Sequence, residues 1–443
     1  MTTARRLAGR ITAAACLTVA CLGVPRATGL QAQGGEGKKT VPRGATPPDA
    51  ALRRARTLLR EVGLVDTHND LPWVLRIDPT HPMDLTARDL RVRGSGDTDL
   101  PKLREGGVGT QFWSVYVPSD LSPVNAMRAQ LEQIELTRRL IARYPRDLGF
   151  AASTADIRRV RASGRIASLL GAEGGHVIAN SLGVLRAYYD LGVRYMTLTH
   201  FHNTDWADAA TDTPRHGGLS PFGREVVREM NRLGMMVDIS HVSPAAMSAV
   251  LDVTEAPVIF SHSSARALTD HVRNVPDSIL RRMARNGGVV QVNFVTVFVS
   301  EPLRRWSEGL IPQLQKATSD SAADRLIREW TASHGPMPRA TLKDLADHVD
   351  HIRRVAGVDH VGIGADFYGA TGPMNVVEGM EDVSKYPALF AELIRRGWSD
   401  ADLRKLAGGN IMRVFKEVES VATRLRRTRE PSTATIEALG STR

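Results

Sequence analysis

The chain has 443 residues, of which 42% are hydrophobic and 24% charged, a length that suits one large α/β barrel with extensions and a sizeable core. The formal net charge of +10 lies at the ends, because residues 1–60 carry eleven Lys and Arg against two acids and residues 420–443 five Arg against two acids. The body between them is nearly neutral and has no basic stripe or aromatic platform, which argues against nucleic-acid binding.

The first 32 residues have the layout of a secretory signal peptide. Three arginines within the first ten residues precede the apolar stretch "ITAAACLTVACLGV" at 11–24, which is too short to span a bilayer comfortably. We therefore predict export to the periplasm or the extracellular medium. Cys21 ends the run "LTVAC", which loosely resembles a bacterial lipoprotein processing site, so a lipid anchor through Cys21 stays open. No other stretch is long and apolar enough for a membrane helix.

The remaining boundaries follow from composition. Cys16 and Cys21 both lie in the predicted signal peptide, so any metal site in the processed protein must be built from histidines and carboxylates. Residues 33–57, rich in Gly, Pro, Lys and Thr, are predicted to form a flexible linker. Residues 422–443 are predicted to be a disordered tail, which leaves 58–421 as the folded domain.

Eight short apolar runs alternate with segments of helical periodicity along this domain. The runs lie at 63–68, 107–117, 166–174, 193–200, 234–241, 256–262, 287–294 and 360–367. Helices are predicted at 125–144, at 220–234 and at 341–357. Apolar strands that do not alternate, each followed by a helix, indicate the α/β class and a closed parallel (β/α)8 TIM barrel. An open doubly wound sheet is the alternative, but no glycine-rich phosphate loop follows the first strand.

The interval after strand 7 is unusually long. Residues 301–338 are predicted to form a helical insertion there. In a barrel such an insertion usually covers the active face as a lid or serves only as packing, and a contact in a homodimer is a further alternative.

Groups that can bind protons or metals follow the predicted strands. They are His68, Asp70, Glu173, His200, His241, His262 and Asp366. One histidine at a strand end is more often a structural residue than a ligand, and a lone carboxylate there can cap a turn. The C-terminal ends of barrel strands all meet at one mouth, however, and several buried carboxylates and imidazoles without a cation would carry a large desolvation cost.

This combination predicts a metal site without sulfur ligands. His68 and Asp70 are two residues apart, so in an extended segment their side chains would leave on the same face. Histidine and carboxylate ligands suit zinc, manganese or cobalt, and five to six of them exceed what one tetrahedral zinc needs. Two metals bridged by one carboxylate, with a hydroxide between them as the nucleophile, is the simplest interpretation.

Seven motifs carry a resemblance to a known family. In chain order they are "VDTHNDLP", "GAEGGH", "LTHFHNTDWADA", "VDISHVS", "FSHSSARAL", "RNVPD" and "GIGADFYG". Together they resemble the membrane dipeptidase, or renal dipeptidase, family within the metal-dependent amidohydrolase superfamily. The resemblance implies a (β/α)8 barrel with two zinc ions that hydrolyses dipeptides and accepts a D-residue at the C-terminal side.

The resemblance also implies a set of metal ligands. His68 and Asp70 resemble the ligands of one zinc ion, and His241 and His262 resemble those of the other. Glu173 resembles the carboxylate that bridges the two ions and completes the catalytic centre.

Three further residues resemble groups that act on the substrate. His200 resembles the histidine that contacts the scissile carbonyl oxygen, where negative charge grows during attack. Arg273 resembles the arginine that binds the terminal carboxylate of the substrate. Asp366 resembles the aspartate that takes a proton from the attacking water and gives it to the leaving amine.

Two departures from the family pattern stand out, of which the first puts the substrate preference in doubt and the second implies that the disulfides of the mammalian enzymes are absent. Tyr368 replaces an acidic residue of the family's usual "DFDG", and Phe201 stands where the mammalian enzymes have a cysteine. Three other readings stay open. The first is another amidohydrolase activity, on a lactone, a β-lactam or an N-acyl amino acid. The second is an exported peptide- or metal-binding protein without catalysis, and the third is a basic surface-adhesion protein.

Overall fold

The structure is a computed structural model that describes residues 49–440 except 315, 318 and 370–376. The predicted signal peptide, with Cys16 and Cys21, lies outside the described residues, as do 33–48 of the predicted linker. None of the helices in the described part of the chain combines the length and the apolar character needed to cross a membrane.

Eight parallel strands close into a barrel. They are β1 (Leu64–Asp66), β2 (Val108–Ser114), β4 (Ile166–Glu173), β5 (Val193–Thr197), β6 (Met236–Asp238), β7 (Ile259–Phe260), β8 (Val289–Val292) and β9 (Val361–Ile363). Each pairs with the next in this order, and β9 pairs with β1. Almost every strand residue is buried, as expected for a parallel sheet covered by helices. The predicted TIM barrel is confirmed.

A ninth strand was not predicted. This strand, β3 (Leu148–Phe150), pairs with the beginning of β4, where Leu148 lies opposite Ile166. The neighbouring strand β5 reaches β4 only from Leu170 onward. β3 therefore pairs with the N-terminal half of β4, which β5 does not reach. Three residues are too few to give a recognisable sequence pattern.

The helices surround the barrel. They are α1 (Ala50–Val62), α2 (Leu71–Arg76), α3 (Leu100–Glu105), α4 (Pro123–Arg143), α5 (Thr154–Ala162), α6 (Leu182–Asp190), α7 (Pro221–Leu233), α8 (Pro244–Val253), α9 (Asp277–Asn286), α10 (Thr296–Val299), α11 (Glu301–Ser307), α12 (Ile311–Leu314), α13 (Asp320–His334), α14 (Leu342–Ala356), α15 (Tyr386–Arg395), α16 (Asp400–Arg404), α17 (Asn410–Leu425) and α18 (Ile436–Leu439). The predicted helices at 125–144, 220–234 and 341–357 correspond to α4, α7 and α14. Ser220 caps α7 by accepting from the Gly223 amide. Pro221 occupies the first helical position, where a backbone donor is not needed.

The predicted insertion is helical. It contains α11, α12 and α13. The short helix α10 precedes it and follows β8, which is the seventh strand of the barrel. Trp306 and Trp330 hold the insertion together, since the Trp330 indole donates to the Trp306 carbonyl at 2.7 Å.

Both ends of the folded domain extend further than the sequence predicts. The linker prediction is wrong for 50–57, because Asp49 caps α1 and that helix buries Leu58 and Leu59. The tail prediction is wrong for 422–440, because α17 buries Leu425 and the later Ile436 is also buried. Both segments contain few large apolar residues, so the sequence gives little sign of packing. The helices pack through a narrow apolar face, and ion pairs such as Arg54–Asp400 and Arg429–Glu255 add to the contact.

Candidate metal centre and active site

Six strands deliver polar side chains to the same end of the barrel. Glu173 ends β4, and the other groups follow within two to four residues of the last strand residue, at the carboxyl ends where barrel enzymes hold their active sites. The side chains that meet there are those of His68, Asp70, Glu173, His200, His241, His262 and Asp366. All of these side chains are nearly or wholly buried.

The two carboxylate oxygens of Glu173 face different partners. Oε2 lies 3.4 Å from Nε2 of His68 and accepts the Ser114 hydroxyl at 3.3 Å. Oε1 lies 3.0 Å from Nε2 of His241 and 3.3 Å from Nε2 of His262. The carboxylate thus stands between two groups of ligand atoms, one on each of its oxygens.

The first group centres on His68. Its Nε2 lies 3.5 Å from Oδ2 of Asp70 and 3.8 Å from Oδ1 of Asp366. Asp70 reaches this position by a turn rather than by an extended strand, since its backbone (φ −91°, ψ 19°) already leads into α2. The expectation of an extended segment is therefore wrong at Asp70, although the two side chains do converge.

The second group contains His241 and His262, whose Nε2 atoms are 2.9 Å apart. His241 has a left-handed backbone (φ 66°), which is strained for a residue with a side chain. Its amide lies in the turn after β6, and its carbonyl accepts from the Ala210 amide at 2.7 Å. This backbone conformation directs the imidazole toward Glu173, and the hydrogen bond with Ala210 helps to hold it.

Hydrogen bonds behind two of the histidines fix which ring nitrogen faces the site. The Tyr195 hydroxyl donates to the Thr67 carbonyl at 3.0 Å, so it accepts from Nδ1 of His68 at 2.8 Å. The Ser261 hydroxyl donates to Asp238 at 2.5 Å and accepts from Nδ1 of His262 at 2.8 Å. In both histidines the lone pair of Nε2 is then directed into the site, the arrangement that metal-binding histidines adopt.

The electrostatics of the cluster fit a bound cation. Burial lowers the pKa values of His241 and His262 well below the usual range, so both are neutral, the form in which a histidine can bind a metal. Burial also lowers the pKa of His68, but the nearby Tyr195, Glu173 and Asp70 raise it more, so the net pKa lies well above the usual value. The site therefore draws positive charge to Nε2 of His68, which a metal ion would supply in place of a proton.

Buried side-chain atoms without a hydrogen-bond partner also favour a bound cation. Nε2 of His68 and Oδ1 of Asp70 are buried and make no hydrogen bond within the part of the chain that the structure describes. The spacings of 3.4–3.8 Å around His68 resemble the ~3.3 Å between ligands of one tetrahedral zinc ion with bonds of about 2 Å. Burying these atoms without a partner would be costly, and a shared cation satisfies all of them.

His200 lies beside the second group. Its Nε2 is 3.7 Å from Oε1 of Glu173, and the ring centroids of Tyr116 and Phe201 lie 4.9 and 4.0 Å from its own. Burial lowers the pKa of His200 to about 3, more than the Glu173 charge raises it. His200 is therefore neutral at physiological pH and can donate one hydrogen bond without carrying charge.

Asp366 follows β9 and belongs to the first group, around His68. Its backbone is left-handed (φ 64°), and its Oδ2 accepts from the Asn293 amide group at 2.7 Å. Burial raises the pKa of Asp366 well above the usual range, and the charges of Asp70 and Glu173 add to this effect. A carboxyl group whose pKa is raised holds a proton more readily and is suited to proton transfer.

Tyr368 completes the turn that carries Asp366. The Tyr368 hydroxyl accepts from the Thr98 amide at 3.0 Å, and its own amide donates to the Asp97 carboxylate. Asn69, between two ligand residues, donates to the Thr98 hydroxyl at 2.9 Å. Tyr368 thus ties its turn to the segment around Thr98, which in turn contacts the loop after β1.

Arg273 is buried behind the second group, with 1% of its surface exposed. Its guanidinium donates to the His262 carbonyl at 3.2 Å and approaches the Ser263 hydroxyl at 3.5 Å, while Nε has no partner among the described residues. No carboxylate of the described residues lies within ion-pair distance of it. Burial lowers the pKa of Arg273 to about 10, so the group stays charged and lacks an anionic partner.

Several supporting residues were not singled out in the sequence. Tyr195, Ser261 and Asn293 each hydrogen-bond to a site residue, and Asp238 accepts from the Ser261 hydroxyl. Each lies in or directly after an otherwise apolar strand, which is the one signal that could have marked them. Gly171 belongs with them, because a Cβ there would overlap the Tyr195 ring.

Comparisons with known proteins agree with this geometry. The family model described as membrane dipeptidase (peptidase family M19) matches residues 52–429. An uncharacterized dipeptidase of Schizosaccharomyces pombe is 43% identical over 398 residues, covering 86% of this chain and 87% of the relative. The dipeptidase VerJ of Clonostachys rogersoniana is 41% identical over 393 residues, covering 86% of this chain and 91% of the relative.

Solved structures are similar over nearly their whole length. The probable dipeptidase PvdM of Pseudomonas aeruginosa gives a TM-score of 0.71 at 26% identity, covering 85% of this chain and all of that chain. A metallopeptidase of Rhodobacter sphaeroides, solved with a phosphinate mimic of the dipeptide L-Ala-D-Ala, gives a TM-score of 0.64 at 25% identity, covering 80% of this chain and 99% of that chain.

Proposed function

Since the chain belongs to the membrane dipeptidase family and is a metal-dependent dipeptidase, we propose that it works with two zinc ions bridged by Glu173. His68 and Asp70 would hold one ion and His241 and His262 the other. Two zinc ions there would polarise the scissile carbonyl and lower the pKa of a water molecule. The observation that carries this proposal is that the two carboxylate oxygens of Glu173 have different partners. Oε2 faces His68, and Oε1 faces His241 and His262.

Arg273 would bind the free carboxylate of the dipeptide. The guanidinium is buried and positively charged and has no carboxylate partner among the described residues. An uncompensated buried charge is costly, and a substrate carboxylate would compensate it. This interaction selects substrates in which a carboxylate lies one residue beyond the scissile bond.

His200 and Asp366 would handle the charge and the protons of the reaction. A neutral His200 can donate a hydrogen bond to the carbonyl oxygen as negative charge develops on it, without adding a second cation to the site. Asp366 can take a proton from the attacking water and give it to the leaving amine, and Asn293 holds its other oxygen in place.

A D-residue at the C-terminal side is part of the proposal. It is supported by the Rhodobacter sphaeroides relative, whose ligand mimics L-Ala-D-Ala. Export is proposed as well, and it rests on the sequence of residues 1–32 alone.

A metal assay combined with a substrate screen tests the proposal. Purified protein is analysed for zinc and then incubated with L,L, L,D and D,D dipeptides, and with a lactone, a β-lactam and an N-acyl amino acid for comparison. We expect about two zinc ions per chain and chelator-sensitive cleavage of dipeptides, including L,D pairs. Glu173→Gln is the matched variant, and it should lose both metal and activity. Cleavage that a chelator leaves untouched, or no cleavage of any dipeptide, would overturn the proposal.

A further inference from the structure

Phe201 is an exposed aromatic residue at the mouth of the site. It is 49% exposed and is the only aromatic residue among the exposed large apolar side chains of the described residues. Its ring centroid lies 4.0 Å from that of His200 and 5.7 Å from that of His241. One face of the ring therefore packs on the site histidines, and the rest is open to solvent.

The backbone around Phe201 is held in place. The Thr211 hydroxyl donates to the Phe201 carbonyl at 2.6 Å, and the Asn203 amide donates to Asp212 at 2.9 Å. Further along the same loop, the buried Asp208 carboxylate accepts the amides of His216 and Gly218. The ring is thus presented by an ordered loop and does not need to be ordered by a ligand.

Two more aromatic rings lie close to His200. Tyr116 has its ring centroid 4.9 Å from that of His200, and Trp73 packs edge-on against Tyr116 at 4.9 Å. Trp73 and Tyr116 are each only partly buried. His200 therefore contacts two aromatic rings, those of Phe201 and Tyr116, at the position where the proposed function places the scissile carbonyl.

The position of Arg273 indicates which end of the substrate faces this surface. Arg273 contacts His262 and Ser263, on the β7 side of the site, whereas Phe201 contacts the histidines after β5 and β6. A dipeptide with its carboxylate at Arg273 and its carbonyl oxygen at His200 would direct its N-terminal side chain toward Phe201.

We propose that Phe201 is a specificity-determining residue that contacts the side chain of the substrate's N-terminal residue and favours dipeptides with a large apolar residue at that position. This inference rests on the proposed function. A substrate side chain would cover the open part of the ring, and contact between two apolar groups removes both from water. The expected gain is about tenfold to a hundredfold in kcat/KM for a large apolar side chain over glycine.

Two substrate series test the inference. In the first, the N-terminal residue is Gly, Ala, Leu or Phe with a constant C-terminal residue, and in the second only the C-terminal residue varies. Both series are measured with wild type, Phe201→Leu and Phe201→Ala. Leu131→Ala is the control, because Leu131 is similarly exposed (44%) but lies on the outer helix α4.

Phe201→Ala should reduce kcat/KM about tenfold for the substrates with N-terminal Leu and Phe and leave the Gly substrate within about twofold. Phe201→Leu should retain most of the preference, and Leu131→Ala all of it. An equal loss for every substrate would show that Phe201 only supports the histidines, and a loss confined to the second series would place the contact at the wrong residue. Either result overturns the inference. Failure of the proposed function is recognised separately, as the absence of turnover by wild type on every dipeptide.

Discussion

Nδ1 of His68 lies 2.8 Å from the Tyr195 hydroxyl, which donates its own proton to the Thr67 carbonyl. This pair connects the middle of β5 to the first proposed ligand residue of the site, across the interior of the barrel. It leaves Nε2 of His68 as the nitrogen that faces Glu173 and Asp70. The orientation of His68, a proposed metal ligand, therefore depends on Tyr195, and Tyr195 makes no hydrogen bond to another proposed ligand among the described residues.

Removal of the Tyr195 hydroxyl should weaken metal binding. In Tyr195→Phe the imidazole of His68 loses the acceptor that fixes its tautomer, and we expect zinc affinity to fall about tenfold to a hundredfold. Zinc retained after dialysis against graded chelator concentrations measures this, and activity should return when zinc is added in excess. Tyr188→Phe is the control, because the buried Tyr188 also donates to a carbonyl, that of Val177, outside the site. If both variants retain the same amount of zinc, the hydrogen bond does not orient the ligand.

Arg273 should affect binding of the substrate carboxylate more than His200 does. Arg273→Ala is expected to raise KM for dipeptides about tenfold or more, because a charge-assisted hydrogen bond is lost, while His200→Ala mainly lowers kcat. Steady-state kinetics on one dipeptide and on its C-terminal amide separate the two effects. The amide should be a poor substrate for wild type and should be hardly changed by Arg273→Ala. Equal KM effects of the two variants would contradict the assignment.

The Tyr368 hydroxyl should support the turn that carries Asp366. Tyr368→Phe removes the acceptor for the Thr98 amide, which should cost about 1 kcal/mol of unfolding free energy. Because Asp366 lies two residues away in the same left-handed turn, we expect kcat to fall severalfold with KM nearly unchanged. Thermal unfolding and steady-state kinetics measure the two effects. A rise in KM without a change in kcat would instead indicate that Tyr368 contacts the substrate.

Asp97 should make stability depend on pH in a defined window. Burial raises the pKa of Asp97 to about 6, whereas in the unfolded chain it is near 3.8. Between these two values the folded state holds a proton that the unfolded state has released, so stability is lost as pH rises from about 4 to 6. Asp97→Asn should therefore equal wild type near pH 4 and exceed it at pH 7.5, by at most about 3 kcal/mol.

An exposed aspartate provides the control for that measurement. A hydrogen bond with Arg91 lowers the pKa of Asp89 to about 2, so its contribution has the opposite sign and is lost as pH falls below about 4. Asp89→Asn should not stabilise the protein at pH 7.5. Thermal unfolding of wild type and both variants at pH 4 and 7.5 checks this. A uniform shift of the Asp97→Asn unfolding temperature at both pH values would argue against a raised pKa.

The sequence determined the barrel and the identity of the groups at its mouth. Eight apolar runs with intervening helical segments are enough to indicate the fold, because parallel strands must be buried on both faces and their pattern is continuous. His68, Glu173, His241 and Asp366 could be predicted to meet because each follows such a run, and all carboxyl ends of a parallel barrel lie on one side.

Only the tertiary structure decided how these groups are oriented. The partner of each Glu173 oxygen and the Tyr195 bond to His68 arise from residues far apart in the chain, whose spacing has no period that a pattern could reveal. The same is true of Arg273, which forms no ion pair with a carboxylate of the described residues. The same holds for the short strand β3 and for the helices at both ends of the domain, where packing on the barrel outweighs a polar composition. Local sequence thus fixes which chemistry reaches the mouth of the barrel, and long-range packing fixes the direction in which each atom points.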